Sequence, residues 1–197
     1  MSMSKTRVKS PRTILVIGNA GSGKGTQAKF IARALRPSYH LQLGKLVRRS
    51  IGKRTLAAQV IAITTTRGDL VPTWAILGLL ARELEERVFP NVHIIGDGTP
   101  RRLAEAEFWD EVTRDARRSM PIALYLTLSE DEAKHRLLKR GRVDDTPAAI
   151  RRRFRYFVRD ILPVIDYYRR RGRLITINGD QSVDAVWRDI KKALRLI

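Results

Sequence analysis

Hydrophobic and polar positions alternate between two rhythms along this chain. Thr13–Ile17 (TILVI) is a short apolar run of strand length, and it ends in the glycine-rich turn GNAGSGKGT. Three further runs follow, Val92–Asp97 (VHIIGD), Ile122–Leu128 (IALYLTL) and Leu174–Asn178 (LITIN). Between them the apolar spacing is helical. It predicts helices over Thr26–Leu35, stopped by Pro37, and over Thr55–Thr66, Thr73–Val88, Leu103–Ser119, Glu130–Lys139, Pro147–Arg171 and Val183–Leu194. Ser129 before Glu130, Asp131 and Glu132 reads as an N-cap with acids in the first turn, and Thr146-Pro147 as an N-cap with proline at the first helical position. Gly172 reads as the stop of the long helix. Apolar strands alternating with helices predict an α/β fold, a parallel sheet with helices on both faces.

The length, 197 residues, fits one domain, and a 43% hydrophobic fraction fills a core. No apolar run is long enough to span a bilayer, so no membrane partner is expected. Residues 1–12 are basic and polar and lack the apolar core of a secretory signal. They are expected to form a disordered tail, a transit peptide being the other reading. The absence of cysteine excludes disulfides and thiolate metal sites and suits a reducing cytoplasm. A formal net charge of +19 admits three readings: a polyanion partner, substrates rich in phosphate, or a surface enriched in arginine. Basic residues run along the whole chain with few aromatics among them, unlike modules that stack nucleic-acid bases. Attraction to nucleic acid is therefore expected to be non-specific and sensitive to salt.

The turn Gly18–Thr26 carries the chemistry. It follows an apolar strand and opens a helix, which is the setting a phosphate-binding P-loop requires. Its glycines let successive backbone N–H groups turn inward around a phosphate, and the helix N-terminus adds positive potential. Lys24 supplies a mobile full charge for β- and γ-phosphates. Gly25 stands between the lysine and Thr26, where Ser or Thr usually follows directly.

With that Gly25, the loop resembles the one found in the adenylate kinase family. Further segments resemble the family in its order and spacing: His40–Arg48 (HLQLGKLVR), Gly68–Pro72 (GDLVP), Asp97–Arg102 (DGTPRR), Arg136–Asp145 (RLLKRGRVDD) and Arg153 beyond it. The likeness runs from about Thr13 to the C-terminal helix. It implies a P-loop NTPase three-layer α/β/α sandwich over residues 13–197, with a helical monophosphate-binding segment at about 43–71 and a very short lid at about 139–147. It also implies a nucleoside-monophosphate kinase acting on small-molecule nucleotides as a monomer, with ATP as donor, AMP as acceptor and Mg²⁺ as cofactor.

The roles the resemblance implies suit phosphoryl transfer, in which a protein mostly positions and neutralises charge. Lys24, Arg101, Arg140, Arg142 and Arg153 would act in catalysis. Gly21, Ser22, Gly23, Lys24, Gly25, Thr26, Arg136, Arg140 and Gln181 would hold ATP, with Arg136 lying flat on its adenine. Leu43, Arg48, Asp69, Leu70, Val71, Gly98, Arg101, Glu105, Arg142 and Arg153 would form the monophosphate site, Arg48 and Arg101 gripping the α-phosphate. Thr26 and Asp97 would hold Mg²⁺, Asp97 through water. Asp144 and Asp145 would orient lid arginines. Arg151, Arg152, Arg155 and Arg169–Arg171 read as surface groups, and Trp74, Trp109 and Trp187 as packing residues.

Four positions depart from the family pattern. Leu43, Lys45, Thr99 and Glu105 stand where the family has threonine, an acid, phenylalanine and glutamine. A glutamine amide donates to adenine N1 while accepting from N6. An ionised Glu105 only accepts, which suits guanine N1–H and N2–H₂ and opens the acceptor range toward GMP or several bases. Lys45 leaves Asp97 more of the metal site. The short lid is expected to open fast and to leak ATP hydrolysis. A ribosome- or RNA-associated P-loop protein with weak kinase activity is the reading from another class, and the net charge gives it weight.

Overall fold

The computed structural model describes residues 11–140 and 146–196. Five parallel strands form one sheet in the order β2-β3-β1-β4-β5. They are β1 (Thr13–Gly18), β2 (Ser38–Gln42), β3 (His93–Asp97), β4 (Ile122–Thr127) and β5 (Leu174–Asn178). The helices are α1 (Lys24–Ala34), α2 (Leu43–Ser50), α3 (Leu56–Thr66), α4 (Thr73–Arg87), α5 (Leu103–Asp115), α6 (Glu130–Arg140), α7 (Pro147–Tyr156), α8 (Leu162–Arg170) and α9 (Val183–Leu194). No helix among the described residues is long and apolar enough to cross a membrane.

Strand β1 is buried along its whole length because it lies in the middle of the sheet. Its side chains alternate between two cores, as the two-residue strand period demands. Leu15 and Ile17 join Leu41, Leu43, Leu46, Ile61, Trp109 and Tyr168 on the face covered by α2–α5 and α8. Ile14 and Val16 join Ile31, Ile95, Leu124 and Ile190 on the face covered by α1 and α9. The result is the three-layer α/β/α sandwich of P-loop NTPases.

Helix ends follow the expected chemistry. Ser129 Oγ accepts from the Glu132 N–H at 3.4 Å, and Thr146 Oγ1 accepts from Ala149 N–H at 3.2 Å. Thr55 and Ser182 cap α3 and α9 in the same manner. Three features differ from the sequence expectations. Ser38–Gln42 is a fifth strand, at the sheet edge, with only Leu41 fully buried, so its pattern lacks an apolar run. The long helix over 147–171 is three pieces, α7, a π-helical turn at Phe157–Ile161, and α8. Pro163 lacks an N–H, and its ring would meet the carbonyl four residues back, so the backbone widens just ahead of it. Trp74, expected to pack, is 54% exposed at the start of α4, whereas Trp109 is fully buried and Trp187 packs edge-on against Phe30. Of the expected tail, residues 1–10 lie outside the described residues. Arg12 is tied down, its N–H donating to His93 Nδ1 and its Nη1 to the Leu194 carbonyl.

Candidate active site

All five strands are parallel, so their C-terminal ends meet at one edge, where loops converge on a shared crevice. The loop after β1 turns directly into α1. Gly23 caps the helix at φ 83°, a left-handed conformation that side chains disfavour. The Asn19 carbonyl accepts from the Ser22 N–H at 3.2 Å and from Lys24 Nζ at 2.6 Å, so the loop curls around its own carbonyl. The N–H groups of Gly21, Gly23 and Gly25 have no acceptor among the described residues. Ser22 Oγ is buried and has no hydrogen-bond partner there either. A ring of open donors at a helix N-terminus is an anion cradle. Helix α6 walls it, since a side-chain carbon added to Gly21 would lie 3.0 Å from the Ala133 carbonyl.

Asp97 ends β3, paired in register with Val16 of β1 and Gln42 of β2. A Cβ on Gly25 would lie 3.2 Å from Asp97 Oδ2, so the carboxylate sits against the first turn of α1, next to Thr26. This close approach is the physical reason for the extra glycine between lysine and threonine. His40 Nε2 lies 3.8 Å from the same oxygen, with both side chains 18% exposed. Among the described residues no three His, Cys, Asp or Glu side chains gather to hold a metal ion. One carboxylate beside a threonine-bearing helix N-terminus fits an ion carried mainly by phosphate and water oxygens, as Mg²⁺ is.

The residues expected on the acceptor side leave the two neighbouring strand ends. Helix α2 follows β2 and carries Arg48, whose Nη1 folds back to 3.3 Å from where a Cβ on Gly44 would be. The Gly98–Arg102 turn follows β3, and Arg101 Nε donates to the Gly98 carbonyl at 2.9 Å. Leu43, Leu70 and Val71 are buried, Leu43 completely, within the core under α2–α5. Glu105 is 1% exposed in the first turn of α5. Its Oε2 accepts from the Arg101 N–H at 2.9 Å and from Thr99 Oγ1–H at 3.2 Å, while Trp109 Nε1–H donates to Thr99 Oγ1 at 3.1 Å. Burial pushes the Glu105 carboxyl above the usual glutamate range, against the opposing pull of the Arg101 N–H and guanidinium.

Of the residues expected to hold ATP, Arg136 is pinned between Glu132 Oε1 (2.6 Å) and the Gly179 carbonyl (3.1 Å). Gln181 gives its amide N–H groups to the Asn178 carbonyl and Asp189. Arg153 sits half-buried on α7, and Asp69 is exposed between α3 and α4. Gly141, Arg142, Asp144 and Asp145 lie outside the described residues, as does the side chain of Arg140.

Two contributors are not singled out by the sequence pattern. Arg102 donates through Nη1 to the Val71 carbonyl at 2.8 Å and lies 3.8 Å from Asp160 in the π-helical turn. It thereby ties the turn after β3 to the segment that leads into α4. Arg152, read as a surface group, donates to the Arg67 carbonyl and so joins α7 to the end of α3. The doubled arginine after Pro100 is the only signal that marks Arg102 in advance.

Residues 16–173 match the family model described as adenylate kinase. The chain belongs to the adenylate kinase family. Adenylate kinase 1 of a Nostoc species is 34% identical over 181 residues, covering 92% of this chain and 97% of that one. The adenylate kinase of Leuconostoc mesenteroides is 33% identical over 183 residues, covering 93% and 97%. UMP-CMP kinase 3 of Arabidopsis thaliana is also 33% identical, over 185 residues, covering 93% and 89%. As a member of the adenylate kinase family the protein is a nucleoside-monophosphate kinase, a nucleotide-binding phosphotransferase.

Proposed function

We propose that this kinase moves the γ-phosphoryl group of ATP to AMP, giving two ADP, with Mg²⁺ as cofactor. The observation that carries the reading is the cradle after β1: open N–H groups and an orphaned Ser22 hydroxyl, facing Asp97 across Gly25. The ATP phosphates fit this cradle, with Lys24 swinging from the Asn19 carbonyl to the β- and γ-oxygens. Arg48 and Arg101 offer guanidinium nitrogens to the acceptor α-phosphate from adjacent strand ends. An acceptor phosphate oxygen bonds to the γ-phosphorus as the bond to the β–γ bridging oxygen breaks. No general base is needed, because the acceptor is already ionised. Arg153, with Arg140 and Arg142, neutralises the equatorial oxygens in transit. Thr26 and Asp97 would hold Mg²⁺, which would supply positive charge to the phosphate oxygens.

The burial of Glu105 supports AMP as the acceptor. Burial raises the affinity of the Glu105 carboxyl for a proton, and the protonated form presents an O–H and a carbonyl oxygen, the same donor–acceptor pair as a glutamine amide. In that form it donates to adenine N1 and accepts from N6. A broader acceptor range is the second reading. It is favoured by the equal likeness to a UMP-CMP kinase and by Leu43 being sealed in the core. Coupled ADP-formation assays with AMP, GMP, CMP, UMP and dTMP decide. AMP is expected to give the highest kcat/KM, and an equal or better rate with any other acceptor overturns the assignment.

A further inference from the structure

The acids of this chain are distributed unlike its bases. Residues 1–68 hold 14 Lys and Arg and no Asp or Glu, the first acid being Asp69. Helix α1 lies within this stretch. Lys29 and Arg33, four residues apart, share one face of α1, and Arg36 follows in the bend just past its C-terminal end. All three are exposed, and none has an ion pair or hydrogen-bonding partner among the described residues. Some exposed cations elsewhere are paired, as Arg170 is with Asp166 and Lys134 with Glu130. The three line an open groove of about 710 Å³ between α1 and the edge strand β2, completed by Pro37, Ser38 and His40.

We propose that this groove docks a single-stranded nucleic acid through its phosphates. Lys29, Arg33 and Arg36 line one continuous groove, so the three cations can meet successive phosphates of one strand. A concave floor suits a chain better than it suits a flat lipid surface. None of the large exposed apolar side chains lies in α1 or β2, so the apolar anchor that a membrane-surface helix needs is missing. The groove approaches the catalytic crevice at His40, whose Nε2 lies 3.8 Å from Asp97 Oδ2, whereas Lys29, Arg33 and Arg36 stand outside the phosphate cradle. The claim does not depend on the acceptor or on the assignment of AMP.

The test is fluorescence anisotropy with a labelled oligouridylate, in saturating ADP and Mg²⁺ so that the catalytic crevice is not the binder. Lys29→Gln/Arg33→Gln/Arg36→Gln is compared with Arg114→Gln/Arg117→Gln/Arg151→Gln, which removes the same charge from other exposed positions. The groove variant is expected to bind about tenfold more weakly than the control variant, and its plot of log K against log salt to be shallower by about 2. Its kcat for ADP formation is expected to stay within about twofold of wild type. Equal weakening by the two variants overturns the groove as a site. Displacement of the oligomer by phosphatidylserine vesicles or polyglutamate, as effectively as by unlabelled oligouridylate at matched charge, overturns nucleic acid as its occupant.

Discussion

Substituting Gly25 by alanine separates catalysis from stability at this site. Gly25 is the second residue of α1, and its added Cβ would lie 3.2 Å from Asp97 Oδ2. That is shorter than ordinary van der Waals contact, so the carboxylate must retreat by a few tenths of an ångström. Alanine suits a helix better than glycine by about 0.5–1 kcal/mol, less near an end. The fold should therefore be unchanged or slightly firmer, its Tm rising by no more than about 4 °C. A misplacement of 1 Å costs about a hundredfold in rate, so a shift of this smaller size predicts a fall in kcat on the order of tenfold. The assay is coupled ADP formation at saturating ATP and AMP over a Mg²⁺ titration, with thermal melts on the same samples. A double-mutant cycle with Asp97→Ala should be strongly non-additive, because both changes act through one carboxylate. A Gly25→Ala enzyme with kcat within twofold of wild type, or full additivity with Asp97→Ala, refutes the reasoning.

Three further outcomes follow from the geometry. Glu105 holds its proton above the usual glutamate range, so the folded state binds a proton that the unfolded chain releases, and stability should fall as pH rises from about 4 toward the raised pKa. Glu105→Gln should remove that slope and flatten the rise of KM for AMP over the same window; urea melts and kinetics across pH check both, and an unchanged slope in the variant counts against the neutral carboxyl. Asp110 accepts from Arg173 Nη1 and Nη2 at 2.8 and 2.5 Å and from the Tyr167 hydroxyl at 2.8 Å, with only 7% of its side chain exposed. Asp110→Ala strands a half-buried guanidinium and should cost about 1.5–3 kcal/mol in denaturant unfolding, whereas a loss under about 0.5 kcal/mol contradicts the pair's contribution. Arg101→Lys keeps the charge but loses the planar fork anchored on the Gly98 carbonyl. It should raise KM for AMP about tenfold while leaving KM for ATP within about twofold, and an equal effect on both substrates would falsify its place on the acceptor side.

The parts of the fold that are legible in the sequence are those whose pattern has one physical cause. Strand β1 is buried at every position and apolar through Ile14–Ile17 because the centre of a parallel sheet is covered on both faces, and the glycine-rich turn after it has one use at a helix N-terminus. Strand β2 escapes because an edge strand is half-solvated, and SYHLQ offers no apolar run. The π-helical turn escapes because the helical period continues through it, while the widening answers only to Pro163. In the site, Lys24, Asp97 and Gly25 are found from motif and spacing alone. The engagement of Glu105 is not, since it depends on Thr99 and Trp109 arriving from one turn and one helix to form a chain of hydrogen bonds. Arg102 and Arg152 look like further surface arginines on a chain of 39 basic residues until their carbonyl acceptors are in place.

The most direct test of the phosphoryl-transfer account is the stoichiometry of product formation, with ATP, AMP and Mg²⁺ supplied to the wild-type protein and to Lys24→Met. Wild type should yield two ADP for each AMP consumed, and removing the lysine charge should abolish that yield while the fold persists by circular dichroism. Inorganic phosphate in place of the second ADP, or equal turnover by Lys24→Met, would contradict it.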